Sequence, residues 1–201
     1  MAEETYHKPE IGKKIPEYLT LDEINEFFSV FQEDDPFELR DKTIFELLYS
    51  SGLRTFEACD LRMKDLDLDN MFLIIRVKDG RTRLVPFGEK SLVLIRKYLD
   101  TARDAILKMR SSEYMFVNQR GDNVDQKTVS RSLKKYLERT NIKKRITPNT
   151  FRHSFVVHII ENNADLRSVQ ELLGKIDIPT NQIFTHLASR SLKEIHEEYH
   201  K

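Results

Sequence analysis

The chain has 201 residues, 39% of them apolar, and its 33 basic residues are balanced by 33 acidic ones. This length suffices for one good hydrophobic core, and a net charge of zero argues against a protein that binds polyanions through its overall charge. The single cysteine, Cys59, excludes an internal disulfide. The sequence shows neither an apolar run long enough to span a membrane nor the apolar segment of a signal peptide, so we expect a cytoplasmic protein.

The first part of the chain predicts a linker followed by a capped helix. Residues 1–19 are polar, carry Pro9 and Pro16 and show no apolar period, which indicates a linker or arm. Thr20 and Glu23 have the spacing of a capping box, in which each side chain bonds the backbone amide of the other residue. We therefore expect a helix from about residue 20 and a single domain over residues 20–201.

Two more helices are predicted before residue 60. Asp35 followed by Pro36 is typical of a helix start, since proline needs no amide partner in the first turn. Gly52 is placed to end that helix in the left-handed conformation, and Thr55 begins another short helix.

The next segment predicts a β-hairpin. Residues 71–77 and 83–86 are rich in strand-forming side chains and are joined through Asp79 and Gly80, a dipeptide that favours a tight turn. Lys78 is therefore expected at or near the tip of this hairpin.

The second half of the chain predicts more helices. Helical patterns cover residues 89–109 and 125–139, with a short strand over 114–117 between them. Pro148 and Pro179 suit first helical turns, Gly174 suits a helix end, and a C-terminal helix is expected over about 189–200. The fold class predicted from these elements is mainly α with a small antiparallel β-sheet (α+β).

Several separate motifs occur in one order along the chain. They are residues 47–57 with Arg54 and Glu57, residues 78–88 beginning with Lys78, residues 147–155 with Asn149 and Arg152, residues 165–175 ending in Lys175, and residues 180–186 with Phe184. Together they resemble the catalytic domain of the tyrosine-type site-specific recombinases, on the Xer and phage-integrase branch. The resemblance covers the chain from about Ile15 to its end.

The resemblance implies a metal-free phosphoryl transfer that needs no cofactor. In the family a tyrosine attacks the scissile phosphate of DNA, forms a 3′-phosphotyrosine and releases a 5′-hydroxyl. Arg54 and Arg152 would hold the non-bridging oxygens of the phosphate, and Lys78 would donate a proton to the leaving oxygen. Glu57 would be a structural acid beside Arg54.

Three positions depart from the family pattern. Asn149 stands where a histidine or lysine is usual, Lys175 where a histidine or tryptophan is usual, and Phe184 where the nucleophilic tyrosine is expected. Asn149 and Lys175 keep hydrogen-bonding capacity, whereas a phenyl ring has no atom that can attack phosphorus. The chain as written is therefore expected not to cleave DNA, either as a recombinase disarmed at Phe184 or as a natural protein that binds DNA without cutting it.

Simpler structural roles remain open for the same residues. Asn149 could cap a helix start, Lys175 could complement a helix end, Lys78 could be a solvated turn residue, and Phe184 could pack in the core. Apart from these residues, the basic positions expected to contact DNA are Arg81, Arg83, Lys127, Arg131 and Lys144. His153, His158, His196 and His200 do not have the spacing of a metal site.

The resemblance also implies partners. Double-stranded DNA would be bound within a synaptic tetramer of this chain or of a paralogous recombinase, with the C-terminal helix docked on a neighbour. Two rivals remain: a recombinase-derived DNA-binding protein that regulates or assists other proteins, and a helical adaptor with no role on DNA.

Overall fold

The computed structural model describes residues 16–76, 80, 82–162 and 164–174, and the elements that it contains are predominantly helical. The α-helices are α1 (Leu21–Ser29), α2 (Pro36–Ser50), α3 (Thr55–Cys59), α4 (Glu89–Lys97), α5 (Asp104–Leu107), α6 (Gln126–Leu137), α7 (Pro148–Glu161) and α8 (Leu166–Leu173). A 3₁₀ turn spans Met63–Asp65, and a π-helical segment, Tyr98–Arg103, separates α4 from α5. The predicted α+β class is confirmed.

Local capping signals set the helix starts. The Glu23 carboxylate accepts from the Thr20 amide at 2.8 Å, and the Thr20 hydroxyl accepts from the Glu23 amide at 3.3 Å, so the predicted capping box is present. The Asp35 carboxylate caps α2 by accepting from the amides of Phe37 and Glu38, with Pro36 in the first turn. Leu19, one residue before the predicted boundary, is fully buried, and its amide donates to the Ser154 hydroxyl at 2.8 Å.

The sheet has three antiparallel strands in the order β1 (Leu66–Asp67), β2 (Phe72–Arg76) and β3 (Thr82–Pro86). The β2–β3 hairpin was predicted, and Ile75 pairs with Arg83 in its register. Gly80, in the connection, has φ +83°, as the predicted turn requires. The sequence pattern did not predict β1, because two residues are too few to show an alternation.

Two predicted elements differ in the structure. The helix predicted over 89–109 is interrupted by the π-helical segment. The strand predicted over 114–117 is wrong, since Tyr114 and Val117 make only isolated bridges, to Arg62 and Asn123. Arg103 donates to the carbonyls of Ser112 and Tyr114 at 2.8 and 2.7 Å, and the Met115 amide donates to the Leu61 carbonyl at 2.8 Å, so separate single bonds hold this segment.

The hydrophobic core consists of a main cluster and a smaller second cluster. The main cluster is centred on aromatic rings, with Phe27 packed against Phe45 and Phe151 at centroid distances of 5.2 and 4.9 Å. The second cluster joins α7 to α8 and contains Phe155 and Leu173. Among the described helices, none combines the length and apolar character needed to cross a bilayer.

Gly52 lies where α2 turns back against the second cluster. Its φ is +58°, and a methyl group built on it would lie 2.6 Å from Phe155 Cδ1 and 2.8 Å from Leu173 Cδ2. Position 52, two residues after the end of α2, must therefore be glycine for two reasons, its backbone conformation and the close approach of α7 and α8.

We predict that Gly52→Ala lowers the free energy of unfolding by about 2–5 kcal/mol, since a left-handed alanine costs about 1–2 kcal/mol and overpacking adds about 1–3 kcal/mol. Urea denaturation followed by circular dichroism measures the loss. Gly80→Ala is the matched control, because Gly80 also has a positive φ but has no atom within 4 Å of a built methyl group. Equal losses for the two variants would contradict the crowding at Gly52.

Candidate active site

Arg54 stands at the start of α3, directly after the turn at Gly52. Its backbone amide donates to Glu57 Oε2 at 2.8 Å, so Glu57, three residues along, fixes the helix start. The Arg54 guanidinium Nη1 lies 3.6 Å from Glu57 Oε1, and the arginine side chain is 21% exposed. Arg54 thus has a fixed backbone and a side chain that reaches the surface.

Arg152, on α7, is fully buried. Its Nη1 donates to the carbonyl of Gly52, and its Nη2 donates to the carbonyl of Leu173 at 3.4 Å. A buried guanidinium needs such acceptors, because losing its water without replacing the hydrogen bonds is costly. Arg152 therefore joins the end of α2 to the end of α8.

Glu57 is the carboxylate that connects these cations. Its side chain is only 2% exposed, and both of its oxygens accept from Arg83, at 2.7 and 2.9 Å. Burial by itself would raise the pKa of Glu57, but the bonds from Arg83 and from the Arg54 amide, with the nearby charge of Arg152, lower this pKa below its ordinary value. Glu57 is therefore a buried carboxylate held in its ionised form. We call Arg54, Glu57, Arg83 and Arg152 the Glu57 cluster.

Arg54 of this cluster also lines an open cleft of about 360 Å³. The residues that line it come from the starts of three helices: Arg54, Thr55 and Phe56 at α3, Gln126 and Ser130 at α6, and Thr147, Pro148 and Asn149 at α7. Helix N-termini present backbone amides and a partial positive charge, and α7 is long enough for this effect to matter. At the start of α6 the Asp125 carboxylate already accepts from the Thr128 amide and offsets that charge. Together with Arg54, the start of α7 makes the cleft suited to an anion such as a phosphate group. We call it the helix-terminus cleft.

The structure brings together part of the predicted site. Arg54 and Asn149 line the helix-terminus cleft, whereas Arg152 and Glu57 are buried and are not among the residues that line it. Lys78, Arg81, Lys175 and Phe184 lie outside the described residues. The strands that flank Lys78 in sequence are anchored at both sides, β3 by Arg83 and β2 by Arg76, which donates to the buried carboxylate of Asp65 at 2.6 Å.

The basic residues expected to contact DNA fall into two groups. Lys127 and Arg131 are exposed on α6. Arg83 and Lys144 are instead held in internal ion pairs: Arg83 with Glu57, and Lys144 with Glu23 at 2.6 Å. These pairings cross 26 and 121 residues of sequence, so they depend on the tertiary fold.

The sequence patterns did not identify Gln126, Ser130 and Thr147 as site residues. The signals that could have identified them are the cap at Asp125 and the proline at 148, which mark the starts of α6 and α7. Within the residues that the structure describes, histidine, cysteine, aspartate and glutamate form no group of three or more that could hold a metal ion.

A family profile, a curated relative and solved structures all match this chain over most of its length. The profile described as "Phage integrase family" matches residues 17–190. The tyrosine recombinase XerC of Natranaerobius thermophilus is 39% identical over 196 residues, which cover 96% of this chain and 65% of the relative. The chain thus spans about two thirds of the length of this curated relative.

Solved structures share the fold. The crystal structure of XerA recombinase aligns with a TM-score of 0.73 at 29% identity, covering 94% of this chain and 67% of that one. XerH site-specific recombinase bound to its difH substrate, in a pre-cleavage complex, aligns with a TM-score of 0.75 at 22% identity, covering 94% and 56%. The second likeness concerns the fold alone.

Proposed function

Because the chain belongs to the phage integrase family, with Xer recombinases among its relatives, we propose that it binds duplex DNA at a recombination site and holds a scissile phosphate in the helix-terminus cleft. The observation that carries this proposal is the convergence of Arg54 with the starts of α6 and α7 on one open cleft. We propose site-specific recombination as the activity of the family member to which this domain corresponds.

The cleft favours a phosphate for electrostatic reasons. The guanidinium of Arg54 can donate two parallel hydrogen bonds to non-bridging oxygens, and backbone amides at the start of α7 can donate to the same group. Such donors, fixed before the substrate arrives, stabilise the charge that develops during phosphoryl transfer. Asn149 supplies a further neutral donor at the cleft.

Helix α6 offers a path for the neighbouring DNA backbone. Gln126 and Ser130 face the cleft, and Lys127 and Arg131 follow each of them by one position on the exposed side of the helix. Buried residues of α6, such as Val129 and Leu133, occupy the opposite side. A duplex whose phosphate lies in the cleft would therefore meet Lys127 and Arg131, whose charges can replace counterions of the DNA.

Phe184 sets the chemical limit of this chain. Phosphate binding by the cleft needs no nucleophile, whereas strand cleavage does. We therefore propose a recombinase domain that binds its site without cutting it. The alternative is a recombinase-derived DNA-binding protein whose site has lost more than the nucleophile; Asn149 and Lys175 favour this alternative, and the retained Arg54 and Arg152 favour the first.

Further parts of the proposal concern assembly. We propose that the partners are duplex DNA and other recombinase protomers in a synaptic tetramer, with the C-terminal segment near residues 189–200 as the docking element. Action on DNA would agree with the expected cytoplasmic location. The adaptor alternative has no use for an anion cleft with Arg54 at its edge.

We predict that Phe184→Tyr restores covalent attachment to DNA, because it returns the missing hydroxyl to a chain that retains Arg54, Lys78 and Arg152 in its sequence. The variant is mixed with nicked duplexes that carry candidate recombination sites, and a shifted band on a denaturing gel reports the phosphotyrosine adduct.

The controls are Phe184→Met, which keeps an apolar side chain, and the double variant Phe184→Tyr with Arg54→Ala, which removes the phosphate clamp. Neither should form the adduct. If the single Tyr variant binds duplex DNA but never forms an adduct, the DNA-binding alternative replaces the disarmed recombinase.

We predict that replacing Lys127 and Arg131 together by alanine reduces the slope of log K against log salt concentration by about 1–2, since each phosphate contact contributes about 0.9. Fluorescence anisotropy of a labelled duplex at several salt concentrations measures this slope.

The matched control replaces Lys135 and Arg139, which have the same spacing and charge but pair with Glu38 at 3.0 and 2.8 Å. The control should leave the slope unchanged in protein shown to be folded by circular dichroism. Equal slopes for the parent and the Lys127/Arg131 variant would exclude α6 from the DNA interface, and an absence of salt-dependent binding by the parent would favour the adaptor.

A further inference from the structure

We infer that Arg83 is a positioning residue: it holds Glu57, limits the hold of that carboxylate on the Arg54 side chain, and ties the start of α3 to the end of α8. This inference rests on the proposed function, because it concerns the same cleft. It replaces the sequence-based expectation that Arg83 contacts DNA directly.

Arg83 contacts three parts of the fold with one side chain. It lies on β3, paired with Ile75 of β2. Its two terminal nitrogens donate to the two oxygens of Glu57 on α3, at 2.7 and 2.9 Å. Its Nε donates to the carbonyl of Leu172 on α8 at 3.2 Å, and a methyl group built on Gly174 would lie 3.4 Å from its Cδ.

This geometry requires arginine. The planar fork of a guanidinium matches both oxygens of a carboxylate and still leaves Nε to bond a third acceptor, whereas a lysine ammonium is a point charge on a flexible stem. The Arg83 side chain is 14% exposed, and its charge is offset by a buried carboxylate. A guanidinium in this arrangement has little capacity left for a DNA phosphate.

Arg54 and Arg83 share one carboxylate, and this sharing gives Arg83 its effect on the cleft. Arg83 holds both Glu57 oxygens at hydrogen-bonding distance, while Arg54 Nη1 stays 3.6 Å away. If Arg83 is removed, the buried Glu57 charge loses its closest cation, and the Arg54 guanidinium is the nearest replacement at the edge of the cleft. Arg54 would then bind Glu57 more tightly and bind phosphate less well.

The contact with α8 extends this effect along the chain. The end of α8 and Gly174 directly precede Lys175, and the segment with Phe184 follows. Arg83 and Arg152 donate to adjacent carbonyls at the end of α8, those of Leu172 and Leu173. The start of the segment that leads to the nucleophile position is therefore fixed to the same carboxylate that fixes Arg54.

A double-mutant cycle on duplex binding tests this inference in the chain as it stands, without any need for cleavage. Arg54→Ala, Arg83→Ala and the double variant are compared with the parent by anisotropy of a labelled duplex at low salt. We expect each single change to weaken binding about ten- to hundredfold, the range for hydrogen bonds to charged groups, and the double variant to be no weaker than Arg54→Ala within about twofold.

Further variants separate positioning from folding. Arg83→Ala combined with Glu57→Gln removes the uncompensated carboxylate and should recover part of the lost affinity, because a neutral amide cannot hold Arg54. Arg83→Lys keeps the charge without the fork and should give an intermediate loss. Arg139→Ala is the matched control, since Arg139 also forms a bidentate pair with a buried carboxylate, Glu38, but does not line the cleft; it should leave affinity unchanged.

The outcomes distinguish this inference from the proposed function. Additive losses would show that Arg83 contacts DNA independently and would overturn the positioning role, while the proposed function would stand. Full affinity in folded Arg83→Ala and Arg83→Lys would overturn it as well. A parent chain that does not bind duplex DNA, or an Arg54→Ala variant that binds as the parent does, would overturn the proposed function and this inference with it.

Discussion

The burial of the Glu57 carboxylate is the constraint on which the rest of the candidate site depends. An ionised carboxylate that is 2% exposed is tolerated only because the Arg83 fork, the Arg54 amide and the charge of Arg152 replace its water. Each of these partners comes from a different part of the fold, so satisfying one buried charge also sets the relative positions of α3, β3, α7 and α8. The site is thus organised by an electrostatic requirement inside the protein before any phosphate arrives.

The distribution of charge explains how a chain of zero net charge can present an anion site. Many basic side chains are neutralised within the fold: Glu38 holds Lys135 and Arg139, and Glu23 holds Lys144. The positive charge at the cleft then comes from Arg54, with the exposed Lys127 and Arg131 beside it on α6. Net charge is therefore a poor guide to binding here, because pairing within the fold decides which charges remain available.

Short-range signals in the sequence predicted much of the fold, and long-range contacts account for what they missed. The cap at Thr20, the Asp35–Pro36 start and Pro148 act within one helical turn, so the helices that they begin were predicted correctly. The strand predicted over 114–117 was wrong because its backbone bonds go to separate parts of the fold: the Met115 amide donates to Leu61, and the Phe116 carbonyl accepts from Val124. Arg54 and Asn149 were selected by resemblance and do line one cleft, but the pairing of Arg83 with Glu57 could not be read from spacing.

We propose that the helix-terminus cleft holds the scissile phosphate while Arg83 stays bound to Glu57, and a crystal structure of this chain on a nicked duplex that carries a recombination site is the decisive test. We expect the scissile phosphate within hydrogen-bonding distance of the Arg54 guanidinium, beside Asn149, with both Arg83–Glu57 bonds retained. A phosphate bound elsewhere, or an Arg83 that leaves Glu57 to contact the DNA, would disprove this arrangement.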